Sequence, residues 1–280
     1  MLIVVAVTGM LVVLTGCGRQ LTPSPTPVRT LVNLGDSYAA GAGVFPLVAD
    51  SPTQCLRSSE NFAHLIAAAK SLRLDDVSCS GADTADFFTA QYFGVPAQLD
   101  AVVPAASDVT MMIGGNDSDV FSGAIGDCST AAASDPTGSP CAVTHGDAYV
   151  KTIRSQTYPD LVKAFTAVRA HAPTARVMVV GYPWILPATG GCYPTMRVAA
   201  GDVAYLRGVQ SALNDAVRRA AALTGVRFVD MSAVSEGHDA CAPVGTRWIE
   251  PQVDPQGAAP VHPNILGHRA IARQIEQLLH

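Results

Sequence analysis

The chain has 280 residues, about half of them apolar and 15% of them charged, with a net charge of −5 at neutral pH. That length and composition suit one large α/β domain or two small ones around a packed core, and they exclude an intrinsically disordered chain. No stretch carries a dense Lys/Arg cluster, which excludes nucleic acid as a partner, because phosphate binding needs concentrated positive charge.

In chain order, Met1 to Gly16 is nearly all apolar. It is shorter than the ~20 residues that span a bilayer as a helix, and it reads as the apolar region of a secretory signal. It ends in Leu14-Thr15-Gly16-Cys17, a string similar to a bacterial lipobox, in which the cysteine becomes lipid-modified. Residues 1–17 are therefore expected to export the protein, as a membrane lipoprotein anchored through Cys17 or as a secreted protein if the segment is an ordinary signal peptide. Residues 18–30 are rich in Pro, Thr and Ser and form an expected extended linker. No second linker follows, so residues 31–280 are expected to fold as one domain, acting as a monomer.

Strands and helices then alternate. Leu31 to Leu34 is a short apolar run ending at a glycine, a buried strand. Asn61 to Leu72 carries Phe62, Leu65 and Ile66 at helical spacing. Val77 marks a second strand before Cys79-Ser80-Gly81, and Val109 to Ile113 is a third, again ending in glycines. Ala148 to Ala170 reads as a helix kinked or split at Pro159. Arg176 to Val180 is the fourth strand, and Val226 to Met231 the fifth. Asp202 to Thr224 places Leu206, Val209, Leu213, Val217 and Leu223 on one helical face. Asn264 to Leu279 is a terminal helix. The pattern predicts an α/β fold, a three-layer α/β/α sandwich around a central five-stranded parallel sheet of flavodoxin-like type. Residues 38–60, 82–96, 114–147, 183–200 and 232–262 read as long loops. Most follow a strand, so they should crowd the carboxyl edge of the sheet and build one pocket.

Besides Cys17 there are six cysteines, Cys55, Cys79, Cys128, Cys141, Cys192 and Cys241. An even count in an exported chain predicts disulfides. Neighbours along the chain close the shortest loops, which predicts Cys55–Cys79, Cys128–Cys141 and Cys192–Cys241. The absence of a CxxC pair speaks against a zinc site, and no metal or other cofactor is expected.

Four motifs carry chemistry. Gly35-Asp36-Ser37-Tyr38 follows the first strand; a serine there projects its hydroxyl at the sheet edge, near the positive end of a helix. Standing alone, the same string is a turn with a capping serine. Cys79-Ser80-Gly81-Ala82 offers a glycine that lets backbone approach a ligand. Gly114-Gly115-Asn116-Asp117 places an amide where it could meet a developing negative oxygen, although Asn and Asp also favour plain turns. Val261-His262-Pro263-Asn264 precedes the last helix and could hold a general base; otherwise it is a surface loop.

Each motif is ordinary alone, but their joint order is not. Ser37, Gly81, Asn116 and His262 occur in the four-block order of the SGNH (GDSL) hydrolases, which this chain resembles from Leu31 to its C-terminus. Ala172-Pro173-Thr174-Ala175-Arg176 before the fourth strand and Gly181-Tyr182-Pro183 after it extend the resemblance. With the six cysteines it is similar to the actinobacterial secreted lipase and esterase branch. The resemblance implies Ser37 as nucleophile, His262 as general base, and an oxyanion hole of the Ser37 and Gly81 N–H groups with the Asn116 side chain. It implies a serine esterase or lipase without cofactor, acting on acyl lipid or a small ester. The family usually places Asp three residues before the histidine, where this chain has Ala259. The Ala259 carbonyl is the expected partner of the imidazole, with Asp254 as the alternative. The segment 86–93, holding Phe87, Phe88, Tyr92 and Phe93, is expected beside the Gly81 turn, either as an acyl-binding groove or as ordinary core.

Three rival readings remain. An α/β-hydrolase would carry GxSxG in mid-chain, whereas here the serine string follows the first strand. A carbohydrate O-acetylesterase or a thioesterase could use the same fold and serine chemistry. A solute-binding lipoprotein could keep the fold without catalysis.

Overall fold

The computed structural model describes residues 1–6, 8–9 and 28–279; Cys17 and most of the 18–30 linker lie outside the described residues. Five strands, β1 (Thr30–Gly35), β2 (Arg73–Asp76), β3 (Asp108–Met112), β4 (Arg176–Val180) and β5 (Arg227–Val229), form one sheet in the order β2-β1-β3-β4-β5. All pairings are parallel, with Val32 beside Val109, Val109 beside Val177 and Val179 beside Phe228. Every residue of β1 and β3 is buried, as expected where helices cover both faces. The edge strands β2 and β5 are partly exposed and carry charge, which discourages pairing with another chain.

The helices are α1 (Ser37–Ala40), α2 (Phe62–Lys70), α3 (Val120–Ala132), α4 (Pro140–His145), α5 (Ala148–Thr152), α6 (Tyr158–His171), α7 (Val203–Thr224) and α8 (Ile265–Glu276). α2 packs with α8, and α6 with α7, which completes the three-layer sandwich. The chain steps from β1 to β2 on one side and then to β3 on the other. The carboxyl ends of β1 and β3 therefore flank the switch point, where open α/β sheets bind ligands.

Two elements differ from the sequence expectation. The second strand is Arg73–Asp76 rather than the region of Val77. Its polar side chains are used: the Asp76 carboxylate accepts from Asn33, Asn61 and Ser78, so tertiary pairing overrides a poor strand pattern. The expected loop 114–147 contains α3 and α4. Val120, Ala124, Cys128 and Ala132 recur every fourth residue and are buried, but Gly123 and Gly126 between them weaken the helical signal. The helical segment 148–170 meets its expectation: the helix is split beside Pro159, where a π turn, Ile153–Thr157, separates α5 from α6 immediately before the proline.

The three disulfides are Cys55–Cys79, Cys128–Cys141 and Cys192–Cys241. The first ties the loops that follow β1 and β2, the second ties α3 to α4, and the third ties the loops that follow β4 and β5.

Candidate active site

β1 must end in glycine. Gly35 has φ +134°, and a Cβ there would lie 2.2 Å from the Met112 carbonyl oxygen. The buried Gln98 side chain accepts from the Gly35 N–H at 2.7 Å and donates to its carbonyl at 3.0 Å. This clamp fixes the start of the turn. Asp36 then caps α1 by accepting from the Tyr38 N–H at 2.8 Å. Ser37 is the first residue of α1, and its Oγ stands 2.7 Å from His262 Nε2.

His262 is positioned from the other end of the chain. Asn264 caps α8 by accepting from the Leu266 and Gly267 N–H groups. Its amide also donates to the Arg247 carbonyl and to Glu250 Oε1. The Glu250 N–H donates to the His262 carbonyl, and the Val261 N–H to the Glu250 carbonyl, each at 2.9 Å. Val261 is forced to φ +63°, a strained conformation for a β-branched residue, and the Tyr38 hydroxyl donates to its carbonyl.

The partner of His262 Nδ1 is the Pro260 carbonyl, at 2.8 Å. It is neither of the two groups expected from the sequence. The Ala259 carbonyl accepts from the His262 backbone N–H at 3.1 Å, because the turn folds it under the peptide rather than toward the ring. Asp254 is exposed, itself in a left-handed turn. With Nδ1–H donating to a carbonyl, Nε2 is left as acceptor for the Ser37 hydroxyl. Burial holds the His262 pKa below its usual 6.5, partly offset by the Pro260 carbonyl, so the ring is neutral at pH 7 and able to take a proton.

The Gly81 and Asn116 turns are joined to each other. Asn116 Nδ2 donates to the Ala82 carbonyl at 2.8 Å. Asp117, buried, accepts from both the backbone N–H (2.9 Å) and the hydroxyl (2.6 Å) of Thr84. Burial raises the Asp117 carboxyl to about 6 despite those two donors. Gly81 adopts φ +80° at this junction. The Asn116 turn is joined in its turn to Ser37 through Tyr182: its hydroxyl donates to Asp36 Oδ2 at 2.5 Å and accepts from the Gly115 N–H at 2.9 Å. Burial raises the Asp36 carboxyl to about 7, against the hydrogen bonds from Tyr182 and Tyr38.

Ser37, Asn116 and His262 open on a cavity of about 280 Å³, whose apolar wall includes Tyr38, Phe121, Ile125, Tyr182 and Val261. Phe121 and Ile125 lie one turn apart on α3, and sequence reading assigned them to a loop. The segment 86–93 does not line this cavity. Phe87 is consumed by the core. The Phe88 ring lies under the Lys163 ammonium, beside Asp117 and Asp160. Tyr92 is partly exposed with its hydroxyl close to Gly81, and Phe93 is fully exposed. The cavity is lined from the turns after β1 and β3 and from α3, whereas this segment follows β2.

A five-stranded parallel α/β sandwich that brings a serine hydroxyl within 2.7 Å of a histidine ring nitrogen at its switch point fits the class of hydrolases. The comparisons with known proteins agree. A model of the GDSL-like lipase/acylhydrolase family matches residues 34–270, and the chain belongs to that family. It is a carboxylic-ester hydrolase, not an α/β-hydrolase of the GxSxG type and not a solute-binding protein. The chain is 49% identical over 280 residues to "Lipase 2" of Streptomyces coelicolor, covering 98% of this chain and 95% of that protein. Among solved structures it is similar to phospholipase A1 from Streptomyces albidoflavus (TM-score 0.76, 26% identity, 90% of this chain and 99% of that one). It is also similar to an extracellular lipase from Streptomyces rimosus (TM-score 0.75, 25% identity, 89% and 99%).

Proposed function

We propose that this hydrolase cleaves esters of acyl chains longer than acetyl through an acyl-enzyme on Ser37, with His262 as general base, and that it works outside the cytoplasm, held at a membrane by lipid on Cys17. The 2.7 Å contact between Ser37 Oγ and His262 Nε2, backed by the Pro260 carbonyl, carries this reading. Ser37 Oγ attacks the ester carbonyl carbon while its proton passes to Nε2. The carbonyl π pair moves onto oxygen, which meets the N–H groups of Ser37 and Gly81 and the second amide hydrogen of Asn116. Collapse breaks the bond to the leaving alcohol, which takes the proton from Nε2. Water, deprotonated by the same nitrogen, then releases the acid and restores Ser37.

The apolar wall of the cavity supports an acyl chain rather than acetyl. A cavity of about 280 Å³ with an apolar wall leaves room for a chain longer than acetyl. That favours an acyl esterase or lipase over an O-acetylesterase. Export is supported by the apolar Met1–Gly16 segment and by the extracellular lipase of Streptomyces rimosus among the structural relatives.

The test is kinetic. Ser37→Ala and His262→Ala should each lower kcat by about 10⁴–10⁶-fold, and the double variant should be little worse, because the two act as one unit. Multiplicative losses would separate them. Incorporation of labelled fatty acid that disappears in Cys17→Ser tests the anchor.

A further inference from the structure

The aromatic residues that the acyl cavity leaves out share one location. Among the described residues, the aromatic side chains more than about a third exposed are Phe45, Phe88, Tyr92, Phe93 and Tyr193. All five lie on loops that leave the carboxyl ends of strands: Phe45 after β1, Phe88, Tyr92 and Phe93 after β2, and Tyr193 after β4. The Ser37–His262 pair opens on that same edge. The large exposed apolar residues at the opposite edge, Val28 before β1, Val103 before β3 and Leu223 at the end of α7, are all aliphatic.

Folding does not explain the two extreme cases. Phe93 is 104% exposed at the tip of a turn closed by the Tyr92–Val95 pairing, with Gly94 inside it. Phe45 is 75% exposed. Single exposed apolar residues are ordinary, but a set of aromatics confined to the edge that carries the site marks an interaction surface. Both loops are fixed to the site. Gln91 donates to the Ser80 carbonyl at 2.9 Å and Tyr92 lies close to Gly81; Ala42, three residues before Phe45, accepts from the Ala259 N–H at 3.0 Å beside the His262 turn. The tips are therefore presented at set positions around the cavity.

We infer that this edge seats on the surface of aggregated acyl lipid, with Phe93 and Phe45 inserted into it, so that an ester enters the cavity from the lipid phase. Aromatic side chains suit the boundary between headgroups and acyl chains. The charge selects the lipid: at a net −5 with no Lys/Arg cluster, the chain has nothing to hold an anionic surface, so the partner is uncharged or zwitterionic lipid. This inference rests on the proposed acyl-ester reading and names the physical state of its substrate.

The test uses the full chain. Phe93→Trp is compared with Leu223→Trp, each against the background of Trp184 and Trp248, on phosphatidylcholine vesicles brominated along the acyl chains. Quenching of the tryptophan at 93 and none at 223 is expected, even where the N-terminal segment alone attaches the protein to the vesicle. Equal quenching at both positions, none at 93, or stronger quenching on anionic vesicles would overturn the assignment. Separately, Phe93→Ser and Phe45→Ser should each raise the apparent KM for an emulsified ester about tenfold, from the transfer of one aromatic side chain, and leave hydrolysis of a soluble short ester unchanged. An unchanged emulsion KM, or parallel loss on both substrates, would refute it. In a Ser37→Ala background the quenching at position 93 should persist. Quenching without any ester hydrolysis by the unmutated chain would therefore overturn the catalytic reading and leave the surface intact.

Discussion

Replacing Tyr182 with Phe removes one oxygen that joins two halves of the candidate site. The hydroxyl donates to Asp36 Oδ2 at 2.5 Å and accepts from the Gly115 N–H at 2.9 Å, and all three residues are buried. The loss leaves a buried carboxyl short of a donor and a buried N–H without this acceptor. A hydrogen bond to a charged group contributes about 1.5–3 kcal/mol, and an unsatisfied buried donor costs about 1–3 kcal/mol, so the variant should be about 3–5 kcal/mol less stable at pH 8. The deficit should depend on pH. Asp36 titrates near 7 in the folded protein, raised from 3.8 chiefly by burial and held from rising further by the Tyr182 hydrogen bond. A raised carboxyl contributes stability that is present below its unfolded pKa and lost as pH rises through the folded value. Removing the hydroxyl moves that folded value still higher, so the variant loses more between pH 7 and its new pKa than the unmutated protein does. At pH 6 the carboxyl is protonated in both, and the deficit should shrink by about 1–2 kcal/mol. Urea denaturation at pH 6 and pH 8 measures both numbers. A deficit under 1 kcal/mol, or the same deficit at both pH values, would refute the role given to this hydroxyl. Turnover should fall in the folded variant, since the Ser37 and Asn116 turns lose their common brace.

Asn116→Ala should lower kcat by about 10²–10³-fold with little change in KM, since the proposed mechanism uses its amide mainly on the oxyanion; a pure KM effect would remove it from that role. Asp254→Ala should cost less than about tenfold in kcat/KM, against the ~10⁴-fold loss when a triad carboxylate is replaced elsewhere, because a backbone carbonyl holds His262; a loss of several decades would reverse this assignment. His268 is buried with Nδ1 accepting from the Phe62 N–H, and burial lowers its pKa to about 3. A histidine with a depressed pKa contributes stability present above its unfolded value, near 6.5, and lost as pH falls toward the folded one. The stability gap between the unmutated protein and His268→Gln should therefore narrow by up to about 1.4 kcal/mol per pH unit below 6.5, and a gap independent of pH would contradict it.

What the sequence determined by itself is local chemistry in linear order. Glycine at the end of β1, asparagine before α8 and apolar runs of strand length are short-range signals, because caps, turns and buried strands depend on residues a few positions apart. They suffice to place Ser37 and His262 at the ends of elements. Disulfides between neighbouring cysteines were legible for another reason, that such pairs close the shortest loops. Tertiary structure decided the contacts in which many candidates are chemically equivalent. Every peptide near His262 offers a carbonyl, and only the pairing of Glu250 with Val261 and His262, with Val261 forced to positive φ, turns that of Pro260 toward Nδ1. Any aromatic can line a cavity, but the position of α3 over the β1–β3 switch point supplied Phe121 and left Phe93 in solvent. A polar segment such as Arg73–Asp76 becomes a strand by pairing with β1, where its Asp76 carboxylate accepts from the buried Asn33 and Asn61. Hydrogen-bond direction and burial are set by distances between segments far apart in the chain, and those distances exist only once the sheet has formed.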